Sequence, residues 1–247
     1  MRVAILGRGR MGQEVARLAR AAGDEVGLEL DVAENTGGAG LTPEALKDID
    51  VAIDFTTASA VIDNVTRVAE AGKPIIVGTT GWYDQMDAVR AVVEKNGTAL
   101  VHGANFSVGV HILRQLVAHA ARLVDRFPEY DPYVIEHHHN AKIDAPSGTA
   151  QRLGEAIIAA VARKTHIESR AGGGAIASDA LHVVSVRAGS AFGHHEVGLD
   201  SPADEIKIVH SARGREGFAR GALFAAAWVL GRQGVHEFSH ILEEEGS

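Results

Sequence analysis

Val3-Ala4-Ile5-Leu6 runs without a polar break into Gly7-Arg8-Gly9-Arg10-Met11-Gly12, after which Val15, Leu18 and Ala19 recur at helical spacing. An apolar run with no alternation predicts a strand buried on both faces, which requires a sheet covered by helices on both sides. The chain then keeps this rhythm. Glu25 to Leu30 reads as a second strand, Val51-Ala52-Ile53 as a third ending at Asp54-Phe55-Thr56, and Ala60 to Ala71 as a helix. Pro74 to Val77 is a strand ending at Gly78-Thr79-Thr80-Gly81, Asp84 to Lys95 a helix, and Ala99 to His102 a strand ending at Gly103-Ala104-Asn105-Phe106. Alternating strands and helices predict an α/β architecture, a Rossmann-like doubly wound parallel sheet.

The G-x-G-x-x-G spacing allows a tight turn, close approach of backbone to a pyrophosphate, and close packing of helix on strand, with the phosphates at the helix N-terminus. Gly7, Arg8, Gly9, Arg10, Met11 and Gly12 are therefore candidate contacts to a dinucleotide. The second strand ends at Asp31, where an acidic residue hydrogen-bonds the adenosine ribose about 20 residues after the turn. Glu29 or Glu34 takes that role if the strand ends elsewhere. An acid there favours NADH by repelling a 2′-phosphate, whereas Arg8 and Arg10 could reach such a phosphate, so NADH and NADPH are both candidate cofactors. Ligands of doubly wound sheets lie beyond the carboxyl ends of the strands. Phe55, Gly78, Thr79, Thr80, Gly103, Ala104, Asn105 and Phe106 are expected there. Ordinary βα turns also need small residues, but they do not account for an exposed Phe106.

The densest chemistry lies further on, in Glu-His-His-His-Asn-Ala-Lys-Ile-Asp-Ala-Pro-Ser-Gly-Thr-Ala from Glu136 to Ala150. Tyr133-Val134-Ile135 ahead of it is strand-like, and Gln151 to Ala162 behind it is helical. Pro-Ser-Gly-Thr thus opens a helix, whose free N–H groups, beside the Ser147 and Thr149 hydroxyls, form a seat for a carboxylate. Lys142 adds a mobile positive charge, and a histidine is the side chain best suited to deliver a proton near neutral pH. A metal site is the weaker reading, because neighbouring histidines on a strand point to opposite faces and no cysteine or His-Glu-x-x-His helix completes a ligand set.

Ahead of this stretch, Val108 to Val124 is helical and hands the chain to a second domain. Lys164 to Asp179, with Gly172-Gly173-Gly174, reads as an irregular loop. Leu181 to Arg187, Glu196 to Leu199 and Glu205 to His210 follow as strands without long helices between them, which predicts a second α+β domain with an open, mostly antiparallel sheet. Phe218 to Leu230 is an apolar helix. His182, His194, His195 and His210 are read as structural or exposed.

Composition narrows the function classes. Acidic residues outnumber basic ones, 32 to 24, which argues against a nucleic-acid partner or an anionic membrane surface. With no cysteine, thiol nucleophiles and zinc-thiolate sites are excluded. The longest apolar run, Ala222 to Leu230, is well short of the roughly 18 residues that suggest a membrane span, and Val3 to Leu6 is too short for a signal peptide. A soluble, cytoplasmic protein without metal is expected.

The pattern Glu-x-His-His-x-x-Lys-x-Asp-Ala-Pro-Ser-Gly-Thr-Ala resembles the signature of the dihydrodipicolinate reductases, the 4-hydroxy-tetrahydrodipicolinate reductases of the lysine and diaminopimelate pathway. The resemblance extends to Gly78–Gly81, to Ala104–Gly109, to Val186–Gly189, to Gly193–Val197 and to Phe218–Ala222. It implies NAD(P)H-dependent reduction of a cyclic dicarboxylate, with His138 as proton donor and Lys142 assisting and binding a carboxylate. His139, Ser147, Gly148 and Thr149 would complete the substrate site, and Phe55, Gly78, Thr80, Asn105 and Phe106 would lie near the dinucleotide. It also implies that the last helix returns to the cofactor domain, giving a dinucleotide-binding domain of residues 1–106 joined by 213–247. Residues 107–212 would form a substrate-binding and oligomerisation domain that builds a homotetramer. One departure stands out: the family's glycine turn usually has two residues between its first two glycines, whereas Arg8 alone separates Gly7 from Gly9.

Overall fold

The structure, a computed structural model, describes residues 1–170 and 174–244, so Gly172 and Gly173 of the expected loop, and residues 245–247, lie outside the described residues. The chain begins β1 (Arg2–Leu6), α1 (Arg10–Ala21), β2 (Glu25–Leu30), α2 (Pro43–Leu46), β3 (Val51–Asp54), α3 (Val61–Glu70), β4 (Ile75–Val77), α4 (Met86–Lys95) and β5 (Ala99–His102). It continues with α5 (Val108–Val124), β6 (Asp131–His138), α6 (Gly148–Ala160), β7 (His166–Glu168), β8 (Ala180–Arg187), β9 (His194–Asp200) and β10 (Glu205–Ser211). It closes with α7 (Glu216–Trp228), β11 (Gly234–Glu237) and α8 (Phe238–Glu244). Two compact units result, Met1–Val108 with Arg215–Ser247 and Gly109–Gly214. Among the described residues no helix is long and apolar enough to cross a membrane.

The first unit holds a six-stranded sheet in the order β11-β5-β4-β3-β1-β2, with every pairing parallel. Successive side chains of β1 go to opposite faces. Val3 and Ile5 pack with Val15 and Leu18 of α1 and Ala219, Ala222 and Ala225 of α7. Ala4 and Leu6 pack with Val61, Val65 and Val68 of α3 and Val89 and Val93 of α4. This two-sided burial is why β1 shows no alternation. The strand order reverses between β1 and β3, and the crevice at such a reversal is where doubly wound sheets bind ligands. The sequence pattern gave no sign of β11, an edge strand of mixed polarity.

The second unit holds a five-stranded sheet, β10-β9-β6-β8-β7. The β10/β9 and β9/β6 pairings are antiparallel, and β6/β8 and β8/β7 are parallel. The sheet is therefore mixed rather than mostly antiparallel, because α6 provides the crossover that lets β8 lie parallel to β6. The stretch read as an irregular loop contains β7. One face of the sheet is covered: Val134, Leu181, Val183, Val197 and Leu199 pack on Leu113, Val117 and Ala121 of α5 and on Leu153 and Ile157 of α6. Val186 and Val209, whose registers place them on the other face, are 40% and 50% exposed.

Candidate active site

In the first unit, β1 runs into Gly7 at φ +91°, a conformation that L side chains rarely adopt. A Cβ on Gly12 would fall 1.8 Å from the Gly7 carbonyl oxygen, so the turn can close only over glycine. Gly9 caps α1 in an extended conformation, and a Cβ there would meet nothing within 4 Å. The start of α1 opens on a cleft of about 450 Å³ whose lining includes Gly9, Arg10, Met11, Phe55, Gly78, Thr79 and Thr80. The Phe55 ring lies where a side chain on Gly78 would be, since a Cβ there would come within 2.1 Å of it.

Beneath this cleft sits Asp54, fully buried. It accepts hydrogen bonds from the Thr56 amide (2.9 Å), the Thr56 hydroxyl (2.7 Å), the Thr79 hydroxyl (2.8 Å) and the Asn64 amide group (2.8 Å). Asn64 in turn accepts from Asn35 at 2.8 Å. A carboxylate at a strand end was visible in the sequence, but its role in fixing two threonines was not. Asp31 lines a smaller cleft of about 180 Å³ with Val32, Thr36, Thr57, Ser59 and Asn64. Of the alternatives to it, Glu29 is paired with Arg20, and Glu34 with Arg8 at 2.6 Å. The two arginines thus differ: Arg10 lines the larger cleft and Arg8 is held by a carboxylate. Gly103, Ala104 and Asn105 follow β5 and are not among the lining residues of either cleft. Phe106, expected to be exposed, is 2% exposed, packed against Phe238 at 4.6 Å and edge-on to Phe55 at 6.3 Å.

In the second unit the strand register gathers the chemistry. Glu136 lies opposite His195, and His138 opposite Arg187, so these side chains share the sheet face that α5 and α6 cover. Glu136 is fully buried. It takes a hydrogen bond from His138 Nδ1, two from the Arg187 guanidinium (2.6 and 2.9 Å) and one from the Ser147 amide (3.1 Å). Burial alone would raise this carboxyl, but the donors around it, Arg187 foremost, outweigh burial and hold it down at about 2. His138 is shifted the other way: burial depresses the imidazole, the Lys142 and Arg187 charges add to that, and Glu136 opposes it. His195, 4% exposed, is pushed down to about 4 by burial first and by the neighbouring His138 second.

After His138 the chain turns back through His139, whose amide donates to the Ala191 carbonyl at 2.9 Å. Lys142 pairs with Asp144 at 2.8 Å, and the Ala145–Pro146 peptide is cis. Ser147 caps α6, its hydroxyl accepting from the Ala150 amide at 3.2 Å and lying 3.3 Å from His195 Nε2. Gly148 and Thr149 form the first turn of α6, where N–H groups lack intrahelical partners. A Cβ on Gly148 would meet nothing within 4 Å. Packing within the protein thus places no demand for glycine there. His138 ends β6, Lys142 lies in the connection that follows, and Ser147, Gly148 and Thr149 open α6, with Glu136 accepting from both His138 and the Ser147 amide. Sequence reasoning missed the parts played by Glu136, Arg187 and His195. Strand parity places Glu136 on the His138 face, whereas Arg187 and His195 arrive through a register that no local pattern encodes. Among the described residues no group of three or more His, Asp or Glu side chains is arranged to hold a metal ion.

This arrangement supplies two separate functions. The first unit offers helix-start amides and a cleft at the reversal of a parallel sheet, suited to a dinucleotide. The second offers the free amides of a helix start beside an imidazole whose Nδ1 is engaged by a buried carboxylate. Comparison with known proteins accords with this division. The family model described as dihydrodipicolinate reductase, N-terminus, matches residues 1–106, and that described as dihydrodipicolinate reductase, C-terminus, matches 109–242. The 4-hydroxy-tetrahydrodipicolinate reductase of Christiangramia forsetii is 30% identical over 249 residues, covering 99% of this chain and 98% of its own. That of Pseudomonas fluorescens is 39% identical over 201 residues, covering 79% of this chain and 74% of its own. The dipicolinate-bound dihydrodipicolinate reductase of Paenisporosarcina sp. TG-14 shares the fold at a TM-score of 0.76 and 24% identity, covering 98% of this chain and 99% of its own. The chain belongs to the dihydrodipicolinate reductase family, and it is an oxidoreductase.

Proposed function

We propose that this chain reduces 4-hydroxy-tetrahydrodipicolinate to tetrahydrodipicolinate, a step of lysine and diaminopimelate biosynthesis, with loss of water and oxidation of one NADH or NADPH. The observation that carries the reading is the connection that sets the Ser147–Thr149 helix start beside the Glu136–His138 pair, an anion seat with a proton donor next to it. A reduced nicotinamide supplies the hydride. Its dinucleotide fits the residues present: the bare Gly9 at the head of α1 leaves room for a pyrophosphate, and Asp31 lines a cleft suited to the ribose.

The protein's own work is binding and proton delivery. The amides of Gly148 and Thr149 and the hydroxyls of Ser147 and Thr149 receive one ring carboxylate, with His139 beside them. Lys142 leaves Asp144 for the dianionic ring. Loss of the ring hydroxyl with a hydrogen of the neighbouring carbon, as water, leaves a C=C bond conjugated with the ring C=N. Hydride adds to the carbon that bore the hydroxyl, the electron pair passes to the neighbouring carbon, and that carbon takes the Nε2 proton of protonated His138, leaving neutral imidazole. General acid assistance of this kind is worth roughly 10²–10⁴-fold. The working enzyme is a cytoplasmic homotetramer, associated through the uncovered face of the second sheet, where Val186 and Val209 are exposed.

Mixing the protein with NADH or NADPH and the pathway intermediate, and following nicotinamide absorbance, tests the reading. Oxidation stoichiometric with tetrahydrodipicolinate is expected. Oxidation of the cofactor by an amino or hydroxy acid instead, or binding without consumption, would reject it.

A further inference from the structure

We infer that Glu136 is the positioning residue of this site: its carboxylate, held in place by Arg187, fixes His138 as the Nδ1–H tautomer and so makes Nε2 the nitrogen that delivers the proton. The inference rests on the reduction proposed above, and it reaches a residue to which that proposal gives no role.

A carboxylate with no solvent exposure must be paired and hydrogen-bonded to stay charged. The guanidinium of Arg187 supplies both, as a two-point contact at 2.6 and 2.9 Å, a geometry that lysine could not reproduce. Being only an acceptor, the ionised carboxylate obliges the histidine nitrogen facing it to carry hydrogen. His138 Nδ1 faces it, so in neutral imidazole Nε2 is the nitrogen without a proton, and in imidazolium Nε2 is the one that gives its proton up. The charges around this imidazole oppose one another. Glu136 on its own strand favours the protonated form, while Lys142 from the following turn and Arg187 from β8 disfavour it. His195 of β9 stands edge-on to the ring at 5.2 Å.

Glu136 also sets where the substrate would sit. Its Oε1 accepts the Ser147 amide at 3.1 Å, and Arg187 donates to the Asp144 carbonyl at 2.6 Å. One carboxylate therefore locks the proton donor to the start of α6 and, through Arg187, to the turn that bears Lys142. A displacement of about 1 Å between such groups costs on the order of 10²-fold in rate.

Two readouts on the whole chain test this. In Glu136→Gln the turnover number should fall on the order of 10²-fold. The alkaline limb of its pH profile, which reports loss of the acid, should move to lower pH by about one unit, because the charge favouring imidazolium is gone. A lower rate with the limb unmoved would mean that Glu136 only supports the fold, and would overturn the inference. The second readout needs no variant at Glu136. In ¹⁵N-histidine wild-type enzyme, with the His138 resonances assigned by their absence in His138→Gln, neutral His138 should be protonated at Nδ1 and bare at Nε2. The opposite tautomer would overturn the inference even if Glu136→Gln fails to fold. Failure of wild-type enzyme to oxidise NADH with the dicarboxylate would count against the proposed reaction and leave the tautomer result standing.

Discussion

Lys142 meets its carboxylate within its own turn. Asp144, with a side chain 57% exposed, holds the ammonium at 2.8 Å, so under the reaction proposed above a dianionic substrate would have to compete with it. An ion pair this open to water is worth at most about 1 kcal/mol. Asp144→Asn is therefore expected to lower KM for the substrate by no more than about fivefold, with the dissociation constant for NADH unchanged. An increase in KM would mean that Asp144 orients Lys142 rather than competing for it. His195 makes a different demand. Burial holds it neutral down to about pH 4, whereas an unfolded chain protonates it near the ordinary value of 6.5. Between those two values the unfolded state binds the extra proton, so the stability contributed by neutral His195 is complete above about 6.5 and is lost as pH falls toward 4. That loss is on the order of 3 kcal/mol. His138 and His210 are depressed as well and act in the same direction. The fall in melting midpoint between pH 7 and pH 5 should accordingly be smaller, though not abolished, in His195→Gln.

The strand–turn–helix element at the N-terminus separates packing from binding. Gly12→Ala drives a methyl into the Gly7 carbonyl at 1.8 Å, an overlap expected to cost about 1–3 kcal/mol and to lower the melting midpoint. Gly9→Ala meets nothing within 4 Å and keeps a conformation open to any residue. Its melting midpoint should match wild type while its dissociation constant for NADH rises by about tenfold or more, since the methyl occupies the approach of the pyrophosphate. Equal NADH affinity would move the phosphate site elsewhere. This element was legible in sequence because its strand is buried on both faces and its turn needs glycine, two constraints that act on neighbouring residues. The same holds for β3, β4 and β5. It fails for β7 and β11, three and four residues long, whose edge positions ask little of composition. The site divides in the same way. His138, Lys142 and Ser147–Thr149 fall in one short stretch and announce themselves, whereas Arg187 and His195 reach Glu136 only through pairing of β6 with β8 and β9. The exposure expected of Phe106 failed because a phenylalanine after a strand end carries no local sign of the partner that buries its ring, here Phe238.

At the scale of the whole molecule the chain leaves the first unit at Val108 and re-enters it at Arg215, and the returning segment supplies structure that the first unit lacks. Ala219, Ala222 and Ala225 of α7 cover the face of Val3 and Ile5, and β11 pairs along β5 from Gly234↔Ala99 to Glu237↔His102. A fragment of residues 1–108 would expose one apolar face of its sheet and the edge of β5, an aggregation-prone combination. It is expected to be insoluble or unfolded by circular dichroism. The two chain ends of the unit are close, because a Cβ on Gly217 would lie 3.7 Å from the Ser107 hydroxyl. Residues 1–108 joined to 215–247 by a short glycine-serine linker should therefore fold. If the first unit alone carries the dinucleotide site, that fusion should melt cooperatively and quench or enhance NADH fluorescence with an affinity within about threefold of the full chain, yet catalyse no reduction, since His138 and the seat at Ser147–Thr149 are absent. A well-folded fusion that does not bind NADH would show that residues of the second unit contribute to holding the cofactor.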